Sequence, residues 1–547
     1  MDSKAFTAIV LMFVVIVLWN IYYYYRYQDQ LVPVEGRQEQ AVLEKEAAPI
    51  TVETEVPARE TEKKEISARG VLDPLAAGTE EKAAVITSDA NSILVDTGVA
   101  WITLSRIGGT ISSLKLLEFT NEKGRPVEMV RNDTDALPLS LEFATEEATK
   151  KINGSLFNTT AGDRITLGPK LPVASVEFDF ELETGFKLKK KLIFHHGSYR
   201  IDMEVALSHS GMNVTGSTFG LTWPGLGNDA ESFYSYKGPL VLIDGKRIEK
   251  QPDEDETLSY DGKVLWAGLS SRYYSALFLP DAEKTKVTSK LIGEKVYSTT
   301  IQMVSLGENT KNRLSIYVGP KRYGELKQEG KEMNRVIYYG WFDIIAKPLF
   351  RLLMWFYSYL GNFGWAIIFL TVVVKTLFWP LTQKSFMSMQ KMKKLQPQMK
   401  IIQERYKKDK TKMNEELIAL YKKYKVNPMS GCMPMLLQIP VFIALYKVLL
   451  ESIELKGAPF ILWITDLSLK DPYYITPLVM GASMFLQQKL SPAAGDPMQR
   501  NMMLAMPIVF TVMFLNFPSG LVIYWLVNNI LSIIQQYFIH RKSEQEA

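Results

Sequence analysis

After Trp341 the apolar residues gather into long blocks, and this limits the chain to folds that place whole helices in an apolar medium. Five stretches, 362–382, 432–450, 473–489, 502–517 and 519–538, are predicted to cross a bilayer, joined by short loops. A sixth precedes them. Ala5 to Leu18 is apolar apart from Thr7, and Trp19 with Tyr22–Tyr25 follows as an aromatic belt, so the span reaches about 20 residues or ~30 Å. A cleaved signal would show small residues after the apolar core. Four tyrosines stand there instead, so an uncleaved anchor over 1–28 is expected. The net charge of +4 and a mean hydropathy of −0.02 conceal this segregation. The single cysteine, Cys432, excludes an intrachain disulfide.

Between anchor and blocks lie two regions of different character. Residues 29–82 are polar and lack an apolar period, which predicts a flexible linker, because ordering them brings no burial in return. Residues 83–325 read as short strands. Ser92-Ile93-Leu94-Val95, Trp101-Ile102-Thr103-Leu104, Val176-Glu177-Phe178-Asp179-Phe180 and Phe186-Lys187-Leu188-Lys189 alternate with period two, and Gly108-Gly109, Asp244-Gly245 and Asp261-Gly262 are read as turns. Roughly 230 such residues imply one large β-sandwich. His195 and His196 are neighbours that a strand would point to opposite faces, and no nucleophile motif or metal-ligand spacing accompanies them or His209. An interaction or scaffolding module is expected there, with no cofactor and no metal; a sugar-binding or sugar-converting sandwich has no residue set to support it.

Charge fixes the topology. Residues 384–425 hold thirteen Lys or Arg against four Asp or Glu, a net of +9, which the positive-inside rule assigns to the cytoplasm. Alternation then puts 453–472 and Phe517-Pro518-Ser519-Gly520 outside, the 541–547 tail and the N-terminus inside, and the β-domain outside. Asp343, Lys347 and Arg351 recur every four residues, so 340–361 is read as an amphipathic helix lying in the interface. In the basic segment 384–428, Leu395, Met399, Ile402 and Tyr406, then Met413, Leu417, Leu420, Tyr421 and Tyr424, predict two antiparallel helices turning near Asp409-Lys410-Thr411. Its basic face, with Lys393, Lys394, Arg405, Lys407 and Lys408, suits anionic lipid, ribosomal RNA or acidic partners, or is simply solvated; it carries no specific nucleic-acid readout. The spans 473–489 and 502–517 contain Pro477 and Pro507 and cover only ~21–24 Å of apolar chain, so either the bilayer thins around them or tilt absorbs the mismatch.

Lys375 is the most informative residue, a charge inside Thr371-Val372-Val373-Val374-Lys375-Thr376. Counted from Asn362 it lies about 20 Å deep, in the cytoplasmic half of its span. Such a charge either snorkels to nearby headgroups or faces a hydrated cavity. Gln438, Ser483, Gln487, Thr511, Asn516, Asn528, Asn529, Gln535 and Gln536 are polar residues of the other spans able to line such a cavity. Methionines such as Met387, Met389, Met392, Met433 and Met435 suit adaptable contacts with varied apolar partners, or serve as lipid-facing filler.

Val374-Lys375-Thr376 through Trp379-Pro380-Leu381-Thr382, Lys394-Leu395-Gln396-Pro397, Asn427-Pro428, Gly431-Cys432-Met433-Pro434, Gln438-Ile439-Pro440, Asp471-Pro472-Tyr473-Tyr474 and Phe517-Pro518-Ser519-Gly520-Leu521 occur in order between 340 and 540. This set resembles the YidC/Oxa/Alb insertase family, and the anchor plus β-domain resembles its Gram-negative branch. The resemblance implies an N-terminal anchor plus a five-helix insertase core over 362–540 as a membrane α-helical bundle, with an inserted periplasmic all-β supersandwich, in a bacterial inner membrane. It implies a hydrophilic groove open to cytoplasm and lipid, closed outside, whose positive charge attracts polar segments of a substrate. That charge falls at Lys375, where Gram-negative members carry arginine. Thr371, Gln438, Tyr524, Trp525 and Asn528 then fall at groove or substrate-contacting positions. Implied partners are nascent membrane proteins, the Sec translocon and its accessory subunits, the ribosome and signal-recognition components, and the lipid bilayer.

A small-solute transporter or channel is the alternative. It calls for inverted repeats and paired intramembrane ions, and neither is legible here. No Gly-x4-Gly-Lys-Ser/Thr loop is present, and no catalytic constellation suggests an enzyme.

Overall fold

The computed structural model describes residues 91–121, 124–183, 185–209, 218–227, 235–304, 311–424, 426, 433–490 and 497–545. The expected anchor (1–28) and linker (29–82) lie outside the described residues.

Period-two alternation becomes alternating burial. Ala100–Ser105 buries Ala100, Ile102 and Leu104 and leaves Trp101, Thr103 and Ser105 half-buried. Such strands build one eight-stranded sheet and two five-stranded sheets among the described residues. In the large sheet Asn312–Pro320 pairs antiparallel with Tyr274–Pro280 on one side and Arg200–His209 on the other. Among the described residues the single parallel pair joins Ser92–Asp96 to Arg164–Thr166. All three sheets feed one apolar core, in which Trp223, Trp266, Phe178, Phe194, Phe278 and Tyr317 are fully buried. Helix α1 (Glu146–Asn153) covers one edge, where the Asn153 side chain bonds both Leu141 N–H and C=O.

Two sequence expectations are corrected here. Asp244-Gly245 does turn, with φ of 49° and 73° between paired strands, but Asp261-Gly262 ends the strand Thr257–Gly262 and turns no hairpin. There the chain crosses from one sheet to another, because Val264–Ser270 belongs to the large sheet. The β core also runs past residue 325: Leu326 on α2 (Tyr323–Gln328), Met333 and Val336 are all buried in it.

The helical region begins with α3 (Asp343–Leu360), whose Ala346, Phe350 and Leu353 face inward. Gly361, at φ 63°, ends it, a left-handed conformation that suits glycine. Next comes α4 (Phe363–Arg405), capped by the Asn362 side chain on Trp365 N–H. The sequence suggested a break near 383, yet α4 continues unbroken through Pro380 and Pro397 for 43 residues. At 1.5 Å per residue it is about 65 Å long, twice a hydrocarbon core, so one half is left to protrude. The turn comes at Tyr406–Asp409, where Asp409 caps α5 (Lys410–Lys423). Met392, Leu395, Met399 and Val426 then bury against Leu417, Leu420 and Tyr421 as the helical spacing requires.

Four helices complete the region: α6 (Met433–Glu451), α7 (Ile475–Leu490), α8 (Pro497–Phe514) and α9 (Ser519–Gln545). The stretch expected over 502–517 starts earlier, at Pro497, and stops at Phe514 before the Pro518 hairpin. Among the described residues, Phe363–Met392 and Ser519–Ile539 are the two helices long and apolar enough to cross a membrane. The 16 residues of α7 reach only ~24 Å. Asp471 fixes its start by accepting from Tyr473 N–H (2.9 Å), Thr476 N–H (2.7 Å) and the Thr476 hydroxyl (2.7 Å). The hairpin before α9 docks on the same loop, with Ser519 N–H on Leu469 C=O and Gly520 N–H on Leu467 C=O.

Sheet and helices meet at the C-terminal end of α6. Arg272 donates to the Leu450 carbonyl at 2.8 Å, a cation on a helix C-terminus. Lys456 donates to the Tyr274 hydroxyl at 2.9 Å, and Glu454 accepts from Tyr323 N–H. Burial pushes the Glu454 carboxyl above the usual range.

Candidate functional site in the helical core

Helices α4 and α9 run parallel, and each brings polar side chains to their contact one or two turns apart. Lys375 is 8% exposed; its Nζ donates to Ser532 Oγ at 2.6 Å and Asn528 Oδ1 at 3.3 Å. Both acceptors are uncharged, and among the described residues no carboxylate pairs with this ammonium. An ammonium has three hydrogens, so one donor site is left over. Two turns further along, Thr382 and Gln535 bond to each other, and Gln535 also donates to the Trp379 carbonyl at 3.3 Å. Toward the start of α9, Gln438 on α6 donates to the buried Tyr524 hydroxyl. Asn529 reaches sideways to Ser483 on α7 at 3.0 Å.

These contacts make a polar column from Tyr524 to Gln535, about 16 Å at 1.5 Å per residue. Beyond its Tyr524 end the packing is apolar. Ile367 and Leu370 on α4, Leu445 and Val448 on α6, and Leu521 and Val522 on α9 are all buried in one cluster. The column is therefore sealed at the end where α4 and α9 begin, and polar toward the end where the basic hairpin starts.

The expected site residues divide. Lys375 and Asn528 come together, and Gln438 pairs with Tyr524. Thr371 is buried one turn before Lys375, but its hydroxyl bonds back to the Ile367 carbonyl at 2.7 Å, so it gives the column no free donor. Trp525 packs in an aromatic cluster with Phe442 (4.8 Å), Phe510 (5.6 Å) and Phe514 (5.3 Å), and among the described residues its buried Nε1 has no partner. Lys394, Arg405, Lys407 and Lys408 are exposed on the hairpin; the Lys393 side chain lies outside the described residues. Lys447, outside the column, pairs with Glu451 at 3.2 Å.

Ser532 and Thr382 were not anticipated. A lone hydroxyl among apolar neighbours gives no signal by itself. Ser532 does stand four residues after Asn528, on the same helical face, and Thr382 seven after Lys375, so a search for polar partners at those spacings would have found both.

The family models and the curated relatives agree with one another. The family described as "60Kd inner membrane protein" matches residues 355–546, and the "YidC periplasmic domain" matches 92–352. A membrane protein insertase YidC of Geotalea daltonii is 39% identical over 466 residues, covering 83% of this chain and 87% of its own. One of Syntrophus aciditrophicus is 37% identical over 562 residues, covering 99% of this chain and 100% of its own. A crystal structure of an active YidC insertase with its first transmembrane domain resolved aligns with 82% of this chain and 93% of that one, at 19% identity and a TM-score of 0.37. With both domains matched in order and full-length relatives at this identity, the chain belongs to the YidC family of membrane protein insertases, inner-membrane proteins with a periplasmic β-sandwich domain and C-terminal helices.

Proposed function

We propose that this chain inserts membrane proteins into the bacterial inner membrane and assists their folding, with Lys375 as the group that receives a substrate's polar segment. The observation that carries this reading is an ammonium buried in a helix long enough to span the bilayer, hydrogen-bonded among the described residues only to neutral side chains. Burying a charge is costly, so an intramembrane lysine without a counter-ion marks a site that meets one in use.

Magnitudes set what this charge can do. At an effective dielectric of ~20, a carboxylate about 4 Å from an ammonium gains roughly 4 kcal/mol. Placing one Asp at the centre of a membrane helix costs about 3 kcal/mol. One acidic residue is matched by the attraction, and several are not. Substrates with heavily charged outer segments then need the Sec translocon, while lightly charged ones insert alone.

In this reading the chain crosses the membrane six times with both termini cytoplasmic. The polar column opens toward the cytoplasm and lipid, and its sealed end faces the periplasm. The basic hairpin of α4 and α5 meets the ribosome, signal-recognition components or anionic lipid, and the β-domain serves as an interaction module. Lysine supplies the charge as an arginine would, but without the planar fork that clamps a carboxylate, so it attracts without holding.

Reconstituted vesicles and a short single-span substrate with one acidic residue test the reading. Lys375→Glu abolishes insertion and Lys375→Arg preserves it. Equal activity of all three proteins would discard the charge mechanism.

A further inference from the structure

Helix α3 presents three sectors at 100° per residue. Ala346, Phe350 and Leu353 point into the helical core; Asp343, Lys347 and Arg351 form the adjoining stripe; Ile344, Pro348, Trp355 and Tyr359 occupy the next, and all four are exposed. The charged stripe thus lies between a protein-facing side and an apolar side that no part of the described chain covers. At its N-terminal end a cleft of about 730 Å³ is lined by Tyr338, Trp341, Asp343, Ile344, Lys347 and Arg351, with Gly340 and Pro348 completing the wall. Trp341 is 97% exposed and Ile344 82%, which in water leaves two large apolar groups beside cations with nothing to bury them.

The charges in the cleft are not equivalent. Lys347 is tied to Asp343 at 2.7 Å, whereas the exposed Arg351 guanidinium, one turn on, has no partner among the described residues. Two cations and one anion leave a net charge of +1 in the lining, next to an apolar strip about four turns long. A ligand complementary to this has one negative charge attached to long apolar chains.

We propose that this cleft seats one anionic phospholipid of the outer leaflet of the inner membrane. Its phosphate is held by Arg351 and Lys347, its headgroup lies against Trp341, and its acyl chains pass from the apolar side formed by Ile344, Pro348 and Trp355 into the bilayer interior. A guanidinium forks onto two phosphate oxygens and a tryptophan favours the headgroup level, so each lining group meets the part of the lipid that its chemistry suits. Seated this way, the lipid pins α3 at the headgroup layer and sets the depth of α4, which follows it after Gly361 and carries Lys375. The proposal rests on the membrane reading above and adds a site to it.

The test counts bound lipid on the full chain in detergent by intact-mass spectrometry under native conditions, titrated with dioleoyl phosphatidylglycerol. Wild type is expected to hold one lipid at concentrations where dioleoyl phosphatidylcholine and inorganic phosphate leave no adduct. Arg351→Gln with Lys347→Gln lowers its occupancy at least tenfold, and Arg351→Lys retains most of it. Both cations lie on the helix surface, so the thermal midpoint of the variant stays that of the wild type and reports that α3 is intact. Equal occupancy in wild type and double variant overturns the site, and equal binding of inorganic phosphate overturns its assignment to lipid. Insertion measured on the same samples keeps the two readings apart: lipid retained without insertion breaks the function, and insertion with no bound lipid breaks only the site.

Discussion

Two lysines are buried among the described residues, one in the β-domain and one among the helices, and they differ in what their ammonium groups have left to give. Lys190 is 0% exposed, on the inward face of the strand Phe186–His195. It donates to the carbonyls of Gly108 (2.8 Å), Gly109 (3.3 Å) and Leu139 (2.9 Å), and the Phe157 ring lies 5.6 Å away. All three carbonyl residues have positive φ, so one side chain ties two unusual turns to the large sheet. Each hydrogen has its acceptor, and nothing further is bound. Lys375 meets two neutral side chains and keeps a donor in reserve. A saturated buried cation is a structural tie, and the unsaturated one is the receptor we propose.

The comparison breaks most readily at Lys190. Lys190→Met orphans three buried carbonyls, each worth about 1 kcal/mol or more. Urea unfolding of the full chain in detergent, followed by the β-sheet signal, is expected to lose about 3 kcal/mol. A loss below 1 kcal/mol would mean the tie is idle.

The next largest effect is on pH. Burial pushes the Lys190 ammonium down from 10.5 to about 7 in the folded protein. Between those values the unfolded chain binds the additional proton, so stability rises with pH across that window and is flat with respect to this group below about 7. From pH 7 to 8.5 the β-domain should gain about 2 kcal/mol. Lys190→Met should remove the gain; an unchanged slope in the variant would assign it to other groups.

Lys375→Met sharpens the other half of the contrast. Replacing a buried charge by an apolar side chain of similar size is often neutral for stability. The unfolding midpoint should therefore hold while insertion of an acidic-tailed substrate falls about tenfold, equivalent to ~1.4 kcal/mol. Loss of stability with no loss of insertion would make Lys375 a second tie.

The smallest effect belongs to the neutral pair below it. Thr382→Val strands the Gln535 side-chain oxygen, whose amide nitrogen keeps the Trp379 carbonyl, and should cost about 1 kcal/mol; Gln535→Leu added to it should restore most of that. Additive losses would show the two side chains to be uncoupled.

Much of this was legible beforehand, because alternation and helical spacing are local. The strands around Ile93, Ile102 and Phe178 and the hairpin contacts of Leu395 and Met399 follow from those periods alone. Lys190 was legible too and passed unremarked: in Phe186-Lys187-Leu188-Lys189-Lys190-Lys191 the alternation that puts Leu188 inside puts Lys190 there as well. What no local period carries is the pairing of distant elements. That Thr371 turns back on its own helix, that Trp525 joins Phe442 and Phe514, and that Arg272 sits on the end of α6 depend on which helices touch.

For Lys375 to act as the proposed receptor, water must reach it from one side of the bilayer only. In a Cys432→Ser background, Asn528→Cys and Leu521→Cys can each be offered a membrane-impermeant maleimide in inside-out and right-side-out vesicles. Position 528 is expected to react from the cytoplasmic face alone, and position 521 from neither. A residue 528 as inert as 521, or one that reacts from the periplasmic face, would contradict it.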